Sequence, residues 1–232
     1  MRIVGIPRAM KCVLIWGLLG SLLLSGCESS NGVKPQIKNN KRNIWTQSNP
    51  RIQKFVAQYR SSSHLKTSLA RAQDYLPYIH RVFRQYKLPP ELAYLPLLES
   101  GFNPQATSPT GAKGLWQFTK ATGEEYGLAI GWFKDERSDW RRSTWAAARY
   151  LDDLGRRFNY DWELALASYN SGPNYLATQI KQQKTEDYWN LELRMEGYQY
   201  VPQFLAMLKV SATQYPALYY TGAPKFWIAA RD

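Results

Sequence analysis

Cysteine and histidine are scarce in this chain. Its 232 residues hold two cysteines, Cys12 and Cys27, and two histidines, His64 and His80. Both cysteines fall at the N-terminal end, so the remainder has no thiol for a disulfide, a catalytic cysteine or a Cys-type zinc site. Two histidines cannot build a multi-histidine metal centre, and a Ser-His-Asp triad would have to use one of them, neither in a promising setting. Missing too are a G-x-G-x-x-G or Walker loop, an internal repeat and any sustained period-two alternation. No metal or cofactor is implied.

Acidic residues are few, 18 against 30 basic ones, for a formal charge of +12. The excess is local: residues 1–66 carry eleven of the basic groups and only Glu28 among the acids. The remainder is close to neutral, so the charge belongs to a leader and tether and suits anionic lipid headgroups as well as phosphodiesters. No nucleic-acid partner is expected. With 44% hydrophobic and 21% charged residues, the rest can bury the core of one globular domain.

Long hydrophobic runs are also lacking. The run from Val13 to Leu24 follows a basic start and is too short for a stable transmembrane anchor, so residues 1–26 read as a secretion signal. The step Leu24-Ser25-Gly26-Cys27 resembles the lipobox of bacterial lipoproteins. That resemblance implies cleavage before Cys27 and acylation of its thiol, and two or three acyl chains suffice for a firm hold on a membrane. Residues 27–66 are assigned to the lipidated cysteine and a basic tether. The stretch from Glu28 to about residue 43 lacks apolar periodicity and can reach up to roughly 50 Å. Glu28 is not the aspartate associated with inner-membrane retention, so the reading favours the outer membrane, with the domain at the periplasmic face of the envelope.

The body reads as mainly α-helical. Leu69, Leu76, Ile79, Phe83 and Tyr86 predict a helix over 68–86, kinked at Pro77. Leu88-Pro89-Pro90-Glu91 opens a second, with Pro90 in its first turn. Further helices are predicted over 114–126, 144–158, 162–169 and 198–214. The catalytic domain is set at 67–215, followed by a C-terminal extension, 216–232.

One carboxylate stands out. Leu92, Leu95 and Glu99 are spaced three and four apart, which puts Glu99 on the stripe that otherwise faces the core. Its neighbours Leu97, Leu98 and Phe102 are apolar. Such surroundings disfavour ionisation, raise the pKa and suit a general acid at neutral pH.

Three ordered motifs carry a family resemblance. Glu99-Ser100-Gly101-Phe102, Ser108 and Gly111-Ala112-Lys113-Gly114-Leu115-Trp116-Gln117 come first, then Ala167-Ser168-Tyr169-Asn170-Ser171-Gly172-Pro173, then Glu196-Gly197-Tyr198-Gln199-Tyr200-Val201-Pro202. Together they resemble lytic transglycosylases of the soluble-transglycosylase, goose-lysozyme-like superfamily, most of all the membrane-bound lytic murein transglycosylase D branch, over roughly residues 68–214. The resemblance implies a lysozyme-like helical fold and peptidoglycan glycan strands as substrate. It implies cleavage of the β-1,4 bond between N-acetylmuramic acid and N-acetylglucosamine, with release of a 1,6-anhydromuramoyl end. Glu99 would act as acid and then as base, and Ser108, Gln117, Tyr169, Asn170, Glu196 and Tyr200 would bind substrate. Gly111 and Gly114 would let the backbone come close, whereas Trp116 is assigned to packing.

The chain departs from the pattern in places. Thr119-Lys120 stands where many relatives have Met-Pro, and Gly197 where a threonine is usual, which predicts a looser loop. No LysM repeat is seen before Asp232, so affinity is expected to come from the cleft and the tether. Two other readings stay open: a hydrolytic muramidase using Glu125 or Asp135 to activate water, and a weakly catalytic peptidoglycan-binding lipoprotein serving an envelope machine. Envelope protein partners are not identifiable from the sequence.

Overall fold

The computed structural model describes residues 43–219; the leader and Cys27 lie outside the described residues. Nine α-helices appear among them: α1 (Pro50–Arg60), α2 (Ser63–Ala72), α3 (Leu76–Gln85), α4 (Leu95–Glu99), α5 (Lys120–Glu125), α6 (Trp140–Arg157), α7 (Trp162–Ser171), α8 (Pro173–Gln183) and α9 (Met195–Gln214). No sheet forms among these residues, only isolated antiparallel bridges such as Lys113 with Phe118 and Ile130 with Asp135. The mainly α expectation holds. No helix among the described residues is long and apolar enough to cross a membrane.

Helix starts follow from side chains that satisfy the free N–H groups of a first turn. Asn49 accepts from Ile52 N at 3.0 Å, Asp139 from Arg141 N and Arg142 N at 3.0 and 3.1 Å, and Asp161 from Leu164 N at 3.2 Å. Between α7 and α8 the chain turns at Gly172, and Pro173 opens the next helix, the position where a missing N–H costs least.

α7 and α9 form the centre. Residues Leu164 to Ser168 of α7 are all buried, as are eleven residues of the 20-residue α9. α9 packs against α1 on one side and α7 on another, and also meets α4, while α6 joins α7 to α3. The C-terminal end of α4 is thereby held beside the N-terminal third of α9.

Several sequence expectations are corrected. The tether does not extend to residue 66: Ile44 is buried, and Ile52, Phe55 and Val56 of α1 and Leu65, Leu69 and Ala72 of α2 belong to the core. Their spacing is an amphipathic stripe, masked in the sequence by the lysines, arginines and glutamines on the outer face. Likewise Leu218 and Tyr219 pack on the body, with Tyr219 stacked on Tyr94 at 4.7 Å and Leu218 O accepting from Gln73 Nε2 at 2.6 Å. The helix expected over 68–86 is two helices, because the chain turns over Gln73 to Tyr75 and Pro77 sits in the first turn of α3. The helix expected over 114–126 is helical only in α5, since residues before it form a looped bridge closed by Lys113 and Phe118. α8 was not anticipated.

Removing a buried methylene-rich side chain costs about 2–5 kcal/mol, whereas exposed substitutions stay within roughly 0.5 kcal/mol. Ile52→Ala is therefore expected to destabilise the body by that larger amount and the exposed Lys54→Ala hardly at all, as urea denaturation will read. A tether would respond to neither.

Candidate active site

Glu99 is the last residue of α4. The N–H groups of Ser100 and Phe102 both return to Pro96 O, at 3.1 and 3.0 Å. With Gly101 and Phe102 at φ 57° and 58°, the chain then turns away and Phe102 is fully buried, stacked on Tyr75. This sharp helix end leaves the carboxyl half-buried among aromatic side chains.

The Tyr200 hydroxyl, from the second turn of α9, donates to Glu99 Oε1. Removal from water pushes the Glu99 carboxyl up to about 7, and the Tyr200 hydrogen bond opposes that rise. No cation is paired with Glu99 among the described residues, and desolvation prevails. Burial drives the Tyr200 and Tyr169 phenols well above their ordinary range, and negative charge on Glu99 adds to both. Tyr150 is pushed up to about 12 by burial first, with Glu99 a minor contributor. The rings of Tyr150 and Tyr169 lie 5.2 Å apart, and Tyr126 is 4.9 Å from Tyr150. Glu99 thus faces a wall of protonated phenols, an environment in which a carboxyl can hold a proton at neutral pH and release it to a bound base.

The loop from Ser100 to Phe118 runs back beside this carboxyl. Ser100 Oγ donates to Leu115 O at 2.8 Å, and the Tyr169 hydroxyl donates to Trp116 O at 2.7 Å. Trp116 is fully buried, its indole N–H bonded to Thr144 Oγ1 at 3.1 Å, in keeping with a packing role. Arg137 donates to Gly111 O at 2.9 Å and Phe118 O at 3.2 Å, bridging the two ends of the motif. Gly114, at φ 83°, is required here because a Cβ would collide with the Arg137 carbonyl. Its small size admits the protein's own backbone.

The expected substrate-binding residues divide. Tyr200 and Tyr169 are gathered at Glu99. Ser108 and Gln117 order the loop: Ser108 Oγ accepts from Ala112 N at 2.9 Å, and Gln117 Nε2 donates to Gly114 O at 2.8 Å and Ala106 O at 3.2 Å. Asn170 is exposed at the end of α7, and Glu196 is exposed in the first turn of α9 while Tyr200 on the same helix is buried. The structure does not join either to Glu99. Gly197 is buried and its position is tight, since a Cβ there would run into Ser171 Oγ, so the absence of a threonine reflects close packing. The sequence reading missed Tyr150 and Arg137. A tyrosine on a buried helix face and an arginine in a charged turn carry no local signal of a shared site.

The two carboxylates weighed as a water-activating base differ sharply. Asp135 accepts from Arg137 Nε at 3.0 Å, Arg137 Nη2 at 2.8 Å and Lys113 Nζ at 3.2 Å, and the Arg137 bonds chiefly hold it down to about 2. A carboxylate so committed is a poor base. Glu125 is exposed at the end of α5, and its charge reaches Tyr126 and Tyr150. Among the described residues no cluster of His, Cys, Asp and Glu could hold a metal ion.

Residues 78–192 match the family model described as "Transglycosylase SLT domain". The chain is 38% identical over 197 residues to membrane-bound lytic murein transglycosylase D of Escherichia coli, covering 83% of this chain and 40% of that protein. It is 34% identical over 137 residues to membrane-bound lytic murein transglycosylase F of Salmonella arizonae, covering 53% of this chain and 25% of that one. It thus spans less than half the length of these relatives. A solved lytic transglycosylase Slt of Pseudomonas aeruginosa aligns with a TM-score of 0.46 at 20% identity, over 63% of this chain and 25% of that chain.

The Glu99 carboxyl has an unfolded value of 4.5 and a folded value of about 7, so folding binds a proton that the unfolded chain releases. Its ionisation weakens the fold as pH rises from about 4.5, and the cost is complete above about 7. Glu99→Gln is expected to match the parent in melting temperature near pH 4 and to exceed its stability by on the order of 1–3 kcal/mol near pH 8. A constant difference across that window would contradict the raised carboxyl.

Proposed function

The chain carries a transglycosylase SLT domain, and on that premise we propose that it is a peptidoglycan lytic transglycosylase whose single essential carboxyl is Glu99. The supporting observation is a half-buried carboxyl pushed up to about 7 against phenols, with no paired cation among the described residues. In the first step the protonated Glu99 gives its proton to the glycosidic oxygen, and the bond from the muramoyl C1 to that oxygen breaks. The N-acetyl group helps to carry the positive charge at C1. In the second step the muramoyl C6 hydroxyl attacks C1, and its proton passes to the now ionised Glu99. The products are a free 4-hydroxyl on N-acetylglucosamine and a 1,6-anhydromuramoyl end, and no water is consumed.

Tyr200 has a part in both steps. Its hydroxyl fixes the carboxyl rotamer and stabilises the carboxylate between the two proton transfers. The binding of Asp135 by Arg137 and Lys113 supports this one-carboxylate route over hydrolysis, and Glu125 is the residue a hydrolytic route would have to use. For the envelope, we propose that residues 1–26 are a signal peptide and that Cys27 is acylated, which would hold the domain at the periplasmic face of the outer membrane.

Purified full-length protein is expected to release muropeptides ending in 1,6-anhydromuramic acid from isolated peptidoglycan, as mass spectrometry will show. Glu99→Gln should lose at least about 1,000-fold of that rate. Reducing muramic acid ends, heavier by one water, would mean hydrolysis; no release at all would mean a binding lipoprotein. Anchoring is checked separately. Cys27→Ser should abolish incorporation of radiolabelled palmitate and move the protein out of the membrane fraction.

A further inference from the structure

Arg51 is the second residue of α1, and a cation in the first turn opposes the helix dipole. Its side chain leaves α1 altogether. The guanidinium carbon lies 3.7 Å from the centre of the Tyr198 ring, 4.9 Å from Trp189 and 5.3 Å from Tyr188. Nη2 donates to Tyr198 O at 2.8 Å and to the Tyr188 hydroxyl at 3.2 Å, and Nη1 donates to Trp189 O at 3.4 Å.

The Tyr198 carbonyl explains the arrangement. In an uninterrupted helix it would accept from the N–H four residues later, but that residue is Pro202, inside α9, which has no N–H and whose ring crowds this same carbonyl. The orphaned acceptor is filled from outside the helix, by Arg51 Nη2 and by the Tyr188 hydroxyl, which lies 2.8 Å from Tyr198 O and 3.0 Å from Gly197 O. Midway between Tyr198 and Pro202 stands Tyr200, which donates to Glu99.

We propose that Arg51 is a positioning residue: by satisfying the carbonyl that Pro202 leaves unbonded, it fixes the Tyr198 to Pro202 segment and so sets Tyr200 on Glu99. This rests on the transglycosylase reading for its kinetic consequence, though not for its geometry. The Nη donors of Arg51 go to Trp189, Tyr188 and Tyr198, so its action on Glu99 runs through the α9 segment.

The test uses full-length protein carrying Arg51→Met, Tyr200→Phe, both together, and Arg51→Met with Pro202→Ala. Turnover of purified peptidoglycan is measured against pH, and the Glu99 midpoint is measured by NMR of the labelled carboxyl. Arg51→Met is expected to lower kcat at least roughly tenfold with little change in KM, as a small misplacement does. The Glu99 midpoint should move upward, as it does when Tyr200→Phe removes the hydrogen bond that lowers it, and the two substitutions together should be no worse than Tyr200→Phe alone. Pro202→Ala restores the missing N–H and should recover most of the loss.

Additive losses, an unmoved Glu99 midpoint, or no recovery with Pro202→Ala would overturn the assignment. Should Arg51→Met not fold, Arg51→Lys carries the same readouts with the charge retained and the forked donors lost. A parent protein that releases no glycan product would sink the reaction reading, while the carboxyl midpoints would still decide the role of Arg51.

Discussion

The structure turns on Glu99, a half-buried carboxyl for which no cation partner is found among the described residues. A buried carboxylate normally secures a positive partner, as Asp135 does with Arg137 and Lys113, or Glu136 with Lys134 at 2.7 Å and Ala129 N at 2.8 Å. Both are held below their ordinary values. Glu99 has a phenol instead, which directs and stabilises the carboxylate while adding no full charge. Desolvation then outweighs the hydrogen bond, and the group sits near neutrality instead of far below it. Had an arginine taken the place of Tyr200, the same carboxyl would be a permanent anion and useless as an acid.

Keeping that balance demands a rigid frame, and no sheet forms among the described residues to provide one. The loop from Ser100 to Phe118 is fixed by polar contacts from outside, the Arg137 guanidinium at two carbonyls and the Tyr169 hydroxyl at Trp116 O, and by its own Gln117 amide across the turn. Three of these carbonyls also accept from the loop's own backbone, Phe118 O from Lys113 N at 3.0 Å, Ala106 O from Gly114 N at 2.8 Å and Gly114 O from Gln117 N at 3.3 Å, so the side-chain donors add a second hold on a turn that the backbone already closes. Tyr169 serves twice, since its ring faces the Glu99 environment and its hydroxyl holds the loop.

What could be read from the sequence was what is written in local spacing. Glu99 on an apolar stripe, Pro90 opening a turn, and Gly172 with Pro173 ending α7 each leave a mark within a few residues, and each was found. The amphipathic stripe of α1 is as plainly present at Ile52, Phe55, Val56 and Tyr59, but its charged outer face has the composition of a tether. Ser108 and Gln117 show the opposite difficulty. A hydroxyl and an amide expected to meet a sugar also bond within their own loop, and that second role is visible only in the folded geometry. Arg51 and Tyr200 are farther apart still in sequence, and no periodicity connects them.

Two oddities nonetheless point to that connection. A proline inside a helix and a cation in a helix's first turn each break a local rule, and neither has a local compensation. In the fold they compensate one another, because the acceptor Pro202 leaves open is the one the guanidinium fills. A helix with all its own hydrogen bonds would need no donor from α1 at the Tyr198 carbonyl, and α1 would contribute to the path of α9 there through packing. With Pro202 in place, that path is set jointly by α1, by the turn carrying Tyr188, and by α9 itself. Arg51 is also gripped by three rings, so the donor is fixed before the carbonyl is met. A segment that looks peripheral in the sequence thereby becomes part of what holds a phenol against the reacting carboxyl.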